Sequence, residues 1–203
     1  MGQKDSEFKI GKGRLEAFSD GVIAIIITIM VLELKTPHST DLSELIKLAP
    51  TFSCYVLSFI YVAIYWNNHY HMLAGSGSVN GKIMWANMFL LFWLSLVPFA
   101  TTYMGENHFD KLPTAIYGFV LFMCGVSYII LSNFLVSHSG ENSPIAIATR
   151  DNNKGVWSLL LYGVAIPISF IQPYISFAIY TIVAALWFVP SKMIESLLNE
   201  DNK

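Results

Sequence analysis

Arg14, Ser19 and Asp20 stand at the threshold of an almost purely apolar stretch that runs on to Leu32. Further along, Trp66, His69 and His71 close a second apolar stretch, and Asn87 lies near the start of a third. These are the residues whose types admit chemistry. A carboxylate and an imidazole together suggest proton transfer, because histidine titrates near neutral pH. His69 and His71 do not read as a metal pair. A spacing of two on a helix places them about 200° apart, too far around to hold one ion. No nucleophile–base pattern, phosphate-binding loop or HExxH pattern accompanies them, so no catalytic residue is assigned and no cofactor or metal is expected. An enzyme working within the membrane through Asp20 and His69 would lack both a nucleophile and a metal set. The plainer readings are a helix-end carboxylate at headgroup depth for Asp20, a hydrogen-bonding core histidine for His69 and an interfacial aromatic for Trp66.

The elements that must position these groups follow from composition. Of the 203 residues, 54% are hydrophobic and only 13% are charged, against about 25% charged in a soluble domain. The charges are clustered, with long uncharged runs between them, as in a chain that crosses a bilayer repeatedly. The net charge of −2 leaves no basic footprint for nucleic acid. Cys54 and Cys124 both fall inside apolar runs and imply no disulfide framework. The first apolar run ends Glu33-Leu34-Lys35 rather than at a small-residue cleavage site, so it reads as a retained helix.

A spanning helix needs about 20 mostly apolar residues. The runs predict an all-α fold of six transmembrane helices at about 15–34, 48–73, 83–104, 112–136, 156–171 and 174–194. The last two come from one uncharged run, Gly155 to Ser191, too long for a single span and divided near Gln172-Pro173. Residues 74–81 read as a flexible linker, and 138–153 as a polar loop. With six helices, nine Lys and Arg residues fall on the side of the termini and three on the other. The positive-inside rule then places both termini in the cytoplasm of a multi-pass cell-membrane protein. No second copy of Phe-Ser-Asp marks an inverted repeat.

On a 100° wheel, Phe18, Gly21, Ile25, Thr28, Ile29 and Leu32 share one side of the first helix, and Ser19 and Asp20 point elsewhere. By itself that stripe is indistinguishable from a lipid-facing surface. Asp20, Ser19, Trp66, His69 and Asn87 fall at one membrane depth.

Arg14-x-x-x-Phe18-Ser19-Asp20 resembles the RxxxFSD signature of the transmembrane protein 175 family, endolysosomal potassium channels and their bacterial homologues. The likeness continues through Gly21-Val22-x-Ala24-Ile25-x-x-Thr28, Trp66-x-x-His69, Asn87 and Pro98-Phe99, and covers about the first 105 residues. It implies a potassium-permeable channel whose pore is lined by the first helix. Family members with one six-helix unit form homotetramers, and this chain carries one such unit. On that likeness Ile25, Thr28, Ile29 and Leu32 look into the pore. Arg14, Phe18, Ser19, Asp20, Trp66, His69 and Asn87 form the structural motif that fixes the helix. No TVGYG-type filter loop is present, so the expected constriction is a ring of isoleucines with a ring of Thr28 hydroxyls, passing potassium with a modest preference over other monovalent cations. Glu33 lies near the external mouth. The alternative is a proton-coupled transporter using Asp20 and His69.

Overall fold

A computed structural model describes residues 11–37, 39–150 and 153–188. Residues 189–194 of the expected sixth span, and Lys4, Lys9, Lys192 and Lys203 of the charge balance, lie outside the described residues. Among those described there are helices and no strands: α1 (Lys12–Leu32), α2 (Leu42–Lys47), α3 (Ala49–Ala74), α4 (Gly81–Ser95), α5 (Val97–Glu106), α6 (Lys111–Ser139), α7 (Pro144–Arg150), α8 (Lys154–Ser169) and α9 (Pro173–Phe188). Four segments are long and apolar enough to cross a membrane: α1, α3, α4 continued by α5, and α6. α8 and α9 are shorter apolar helices of 16 residues each.

Prolines and caps set most of the boundaries. The third pass breaks at Leu96, because Pro98 has no N–H to offer the carbonyl of Leu94 and its ring crowds the preceding turn. The Leu96 N–H turns instead to Trp93 O (3.2 Å), and α5 restarts with Pro98 in its first turn, where a missing donor costs nothing. Asn80 starts α4 by accepting from the Ile83 N–H (3.0 Å). Gly140 ends α6 at φ 89°, a conformation that suits glycine. Pro167 is carried inside α8, which runs on to Ser169, and Pro173 opens α9.

Two segments read from sequence as irregular contain ordered structure among the described residues. The stretch 138–153 contains α7. In the 74–81 connection Ser76 is buried and donates to Leu73 O, and Ser78 and Asn80 both contact the ring of His138 at the end of α6.

The core is built around α6, which packs against α4, α5, α7, α8 and α9. Deep inside, a polar chain crosses three helices: Thr101 donates to Ser58 (2.7 Å), whose oxygen lies 2.9 Å from the Tyr117 hydroxyl. Tyr180 sits against Gly118 of α6, where a side chain would collide with its ring. α1 lies at the edge of this bundle, packed on α3, α4 and α5.

Candidate pore helix and its polar clamp

α1 is apolar nearly all round, so in a bilayer the hydrophobic effect alone would not choose which face it buries. The buried face carries Leu15, Ser19, Ile23, Ile26 and Met30. Ser19 is the polar member, and it meets two polar groups from other helices. Asn87 of α4 donates from Nδ2 to Ser19 Oγ (2.9 Å), and its Oδ1 lies 2.7 Å from His69 Nε2 of α3. Ser19 donates in turn to Leu15 O (2.8 Å). Ser19, His69 and Asn87 are all buried. With Asn87 Nδ2 as a donor its Oδ1 is an acceptor, so the bond to His69 requires a proton on Nε2. Three helices are thereby joined through one amide.

Asp20 belongs to a different pair. Its carboxylate accepts from the indole N–H of Trp66 (2.9 Å) on the exposed side of the α1–α3 seam. Trp66 stacks on Tyr70 one turn further on. Depth in the membrane had grouped Asp20 with His69; the structure pairs Asp20 with Trp66 and His69 with Asn87. Arg14 is exposed and makes no side-chain hydrogen bond among the described residues, and Phe18 is exposed as well.

Lys12 is a tie that the sequence reading missed. Its ammonium donates to Ser76 O (2.9 Å) and Ala74 O (3.4 Å), at the C-terminal end of α3 where carbonyls lack intrahelical partners. The sequence carried only the signal of a lysine two residues ahead of Arg14; its acceptors come from a stretch that looked like linker.

The opposite face of α1 is exposed in the single chain. Ile25 is 58% exposed, Leu32 79%, and Ile29 and Thr28 are exposed between them. Thr28 donates to Ile25 O (2.8 Å), one turn back, which leaves its oxygen lone pairs on that bare face. Ile23, on the other side, is 2% exposed. Among the described residues no group of three or more His, Cys, Asp or Glu is placed to hold a metal ion.

The fold and this helix define a class: a multi-pass, all-helical membrane protein whose first span is pinned by polar side chains along one face and is bare along the other. Comparison with known proteins names the family. Residues 14–98 match the family model described as endosomal/lysosomal potassium channel TMEM175. A protein from Chryseobacterium sp. (strain P1-3), named a potassium channel, is 50% identical over 190 residues, covering 94% of this chain and 99% of that one. The crystal structure of a lysosomal potassium-selective channel TMEM175 homolog from Chamaesiphon minutus superposes with a TM-score of 0.76 at 26% identity, covering 87% of this chain and 95% of that one. A second solved structure, a single-substitution variant of the potassium channel MtTMEM175 in complex with a nanobody–MBP fusion protein, shares the fold at a TM-score of 0.60 and 19% identity, with 100% of each chain covered. The chain belongs to the TMEM175 family.

Proposed function

We propose that this protein is a potassium channel, conducting passively through a pore formed by four copies around α1. The observation that carries the reading is the division of α1 into a clamped face and a bare one. Ser19, Ile23, Ile26 and Met30 are committed to the bundle, while Ile25, Thr28, Ile29 and Leu32 stay uncovered. One helix cannot enclose a channel, but the same face repeated about an axis can. Isoleucine rings there make a narrow apolar neck that resists wetting, and Thr28 adds hydroxyl oxygens that replace part of an ion's hydration shell. The names of the Chryseobacterium and Chamaesiphon relatives support potassium as the permeant ion.

The polar clamp is structural in this reading. Asn87 holds α1 at one rotation through Ser19, with His69 holding Asn87. Proton-coupled transport would ask Asp20 and His69 to exchange a proton, and their hydrogen bonds lead instead to Trp66 and Asn87. Both termini are placed in the cytoplasm, on the side rich in Lys and Arg. Planar-bilayer recording of the purified protein under a potassium gradient tests the reading. Unitary steps reversing near the potassium potential, with no obligatory proton flux, are expected. Flux without unitary steps and tied to a proton gradient would refute it, and a protein tag on Met1 or Lys203 cleaved from outside intact cells would refute the topology.

A further inference from the structure

Beyond the last turn of α1 the chain carries two opposite charges close together. Glu33 caps the helix, its N–H returning to Ile29 O (3.2 Å), and its side chain is exposed. Lys35 follows and reaches Glu106 at the end of α5, Nζ to Oε1 2.5 Å. α5 packs on the buried face of α1, away from the bare face of Ile25, Ile29 and Leu32. The ion pair therefore draws the Lys35 ammonium toward the bundle. Glu33 has no such partner among the described residues.

We infer that Glu106 is a positioning residue for permeation: it holds the Lys35 ammonium back from the pore mouth, so that an arriving cation meets the Glu33 carboxylate. The inference rests on the pore reading above. The Lys35 ammonium is held in its charged form first by the hydrogen bond to Glu106, then by that carboxylate's charge, with a smaller contribution from Glu33. An exposed pair of this kind contributes little to stability, so its effect lies in where the charge is kept. The mouth is open to solvent, and each charge there recurs once per subunit. Four unit charges brought to about 10 Å from the axis would change the local cation concentration about two-fold at 0.15 M salt and several-fold more at 0.01 M. At about 1 M, where screening acts within about 3 Å, the effect would vanish.

The test is a double-mutant cycle read by unitary potassium current entering from the α1 C-terminal side. Glu106→Gln should lower that current about two-fold at 0.15 M, more at low salt and not at all near 1 M. In a Lys35→Gln background, where no ammonium is left to release, Glu106→Gln should change the current little. Equal losses in both backgrounds would mean that Glu106 acts only through its own charge, and would overturn the inference. So would a Glu106→Gln current equal to the parent's at every salt concentration. All these sites are exposed, so assembly checked by size-exclusion chromatography should match the parent; loss of the oligomer on Glu106→Gln would make the pair structural and overturn the positioning role. A parent protein with no potassium current at all would refute the channel reading itself, and this inference with it.

Discussion

Asn87→Ala removes a side chain that joins α1, α3 and α4 through hydrogen bonds. It deletes the bond from Nδ2 to Ser19 Oγ (2.9 Å) and the contact of Oδ1 with His69 Nε2 (2.7 Å). Interhelical hydrogen bonds in membranes average about 0.6 kcal/mol and reach about 1.7. Two of them give about 1–3 kcal/mol. The stranded groups fare differently. Ser19 keeps its bond to Leu15 O, whereas the Nε2 of His69 is left buried with no partner. That adds about 1 kcal/mol or more, so the loss should fall near 2–4 kcal/mol. For a chain of this size each kcal/mol corresponds to about 2–4 °C in Tm, which predicts a fall of roughly 4–16 °C. Thermal unfolding of the purified protein in one detergent, followed by loss of the folded peak in size-exclusion chromatography, measures it. Trp66→Phe is the internal comparison, because it deletes a single bond on an exposed seam and should cost less than about 1 kcal/mol. Ser19→Ala combined with Asn87→Ala should cost less than the sum of the two, since they share a bond. An Asn87→Ala protein as stable as the parent, or a Trp66→Phe protein less stable than Asn87→Ala, would show that the buried amide does not hold the helix.

Ile25→Asn supplies donors and acceptors to the bare face at similar side-chain length, and should raise cation current while weakening discrimination between potassium and sodium in bilayer recordings. The same change at Ile23 puts an amide at a buried position, and should lower expression and Tm, by about 1–3 kcal/mol for the unpaired polar group. Thr28→Ala removes the exposed hydroxyl and should shift the reversal potential under mixed potassium and sodium more than it changes conductance. Asp20→Ala breaks the bond to Trp66 and should reduce assembly or thermal stability modestly with ion preference unchanged, as read by oligomer yield and reversal potential.

The spans were legible in the sequence because bilayer thickness imposes a length of apolar chain that few other structures need, and the division of the Gly155–Ser191 run followed from proline chemistry. The same chemistry at Pro98 breaks the third pass, yet a sequence run remains continuous across it: Pro98 lies among apolar residues with no polar turn beside it. α2 and α7, at six and seven residues, are too short to show a period. In the clamp, a wheel placed Ile25 and Ser19 on different sides, because it depends only on local geometry. Partner choice is not local. Asn87 stands 68 residues from Ser19 and 18 from His69, and membrane depth brings five polar residues into one layer without saying which of them touch. Lys35 and Glu106 are separated by two passes, so neither position in the sequence points to the other.

What decides the rotation of α1 is the difference between its possible faces. Turning the helix by one residue position, about 100°, would carry Asp20 into the buried seat that Ser19 occupies. Ser19 fits there because a hydroxyl both accepts from Asn87 and donates to Leu15 O. A carboxylate would bring a charge into a buried site at membrane depth, at a cost of several kcal/mol unless it took up a proton. At its observed angle Asp20 instead reaches the indole of Trp66 on the outer seam and stays exposed. Lys12 adds a tie at the head of the helix that the same turn would swing away from Ala74 O and Ser76 O. Each bond alone is worth about 1 kcal/mol, but all of them and the burial penalty favour one angle. At that angle the arc left without a partner is the one holding Ile25, Thr28, Ile29 and Leu32. In the proposed pore the polar residues act on conduction without facing the ion: by fixing the rotation they determine which side chains four copies would present to it.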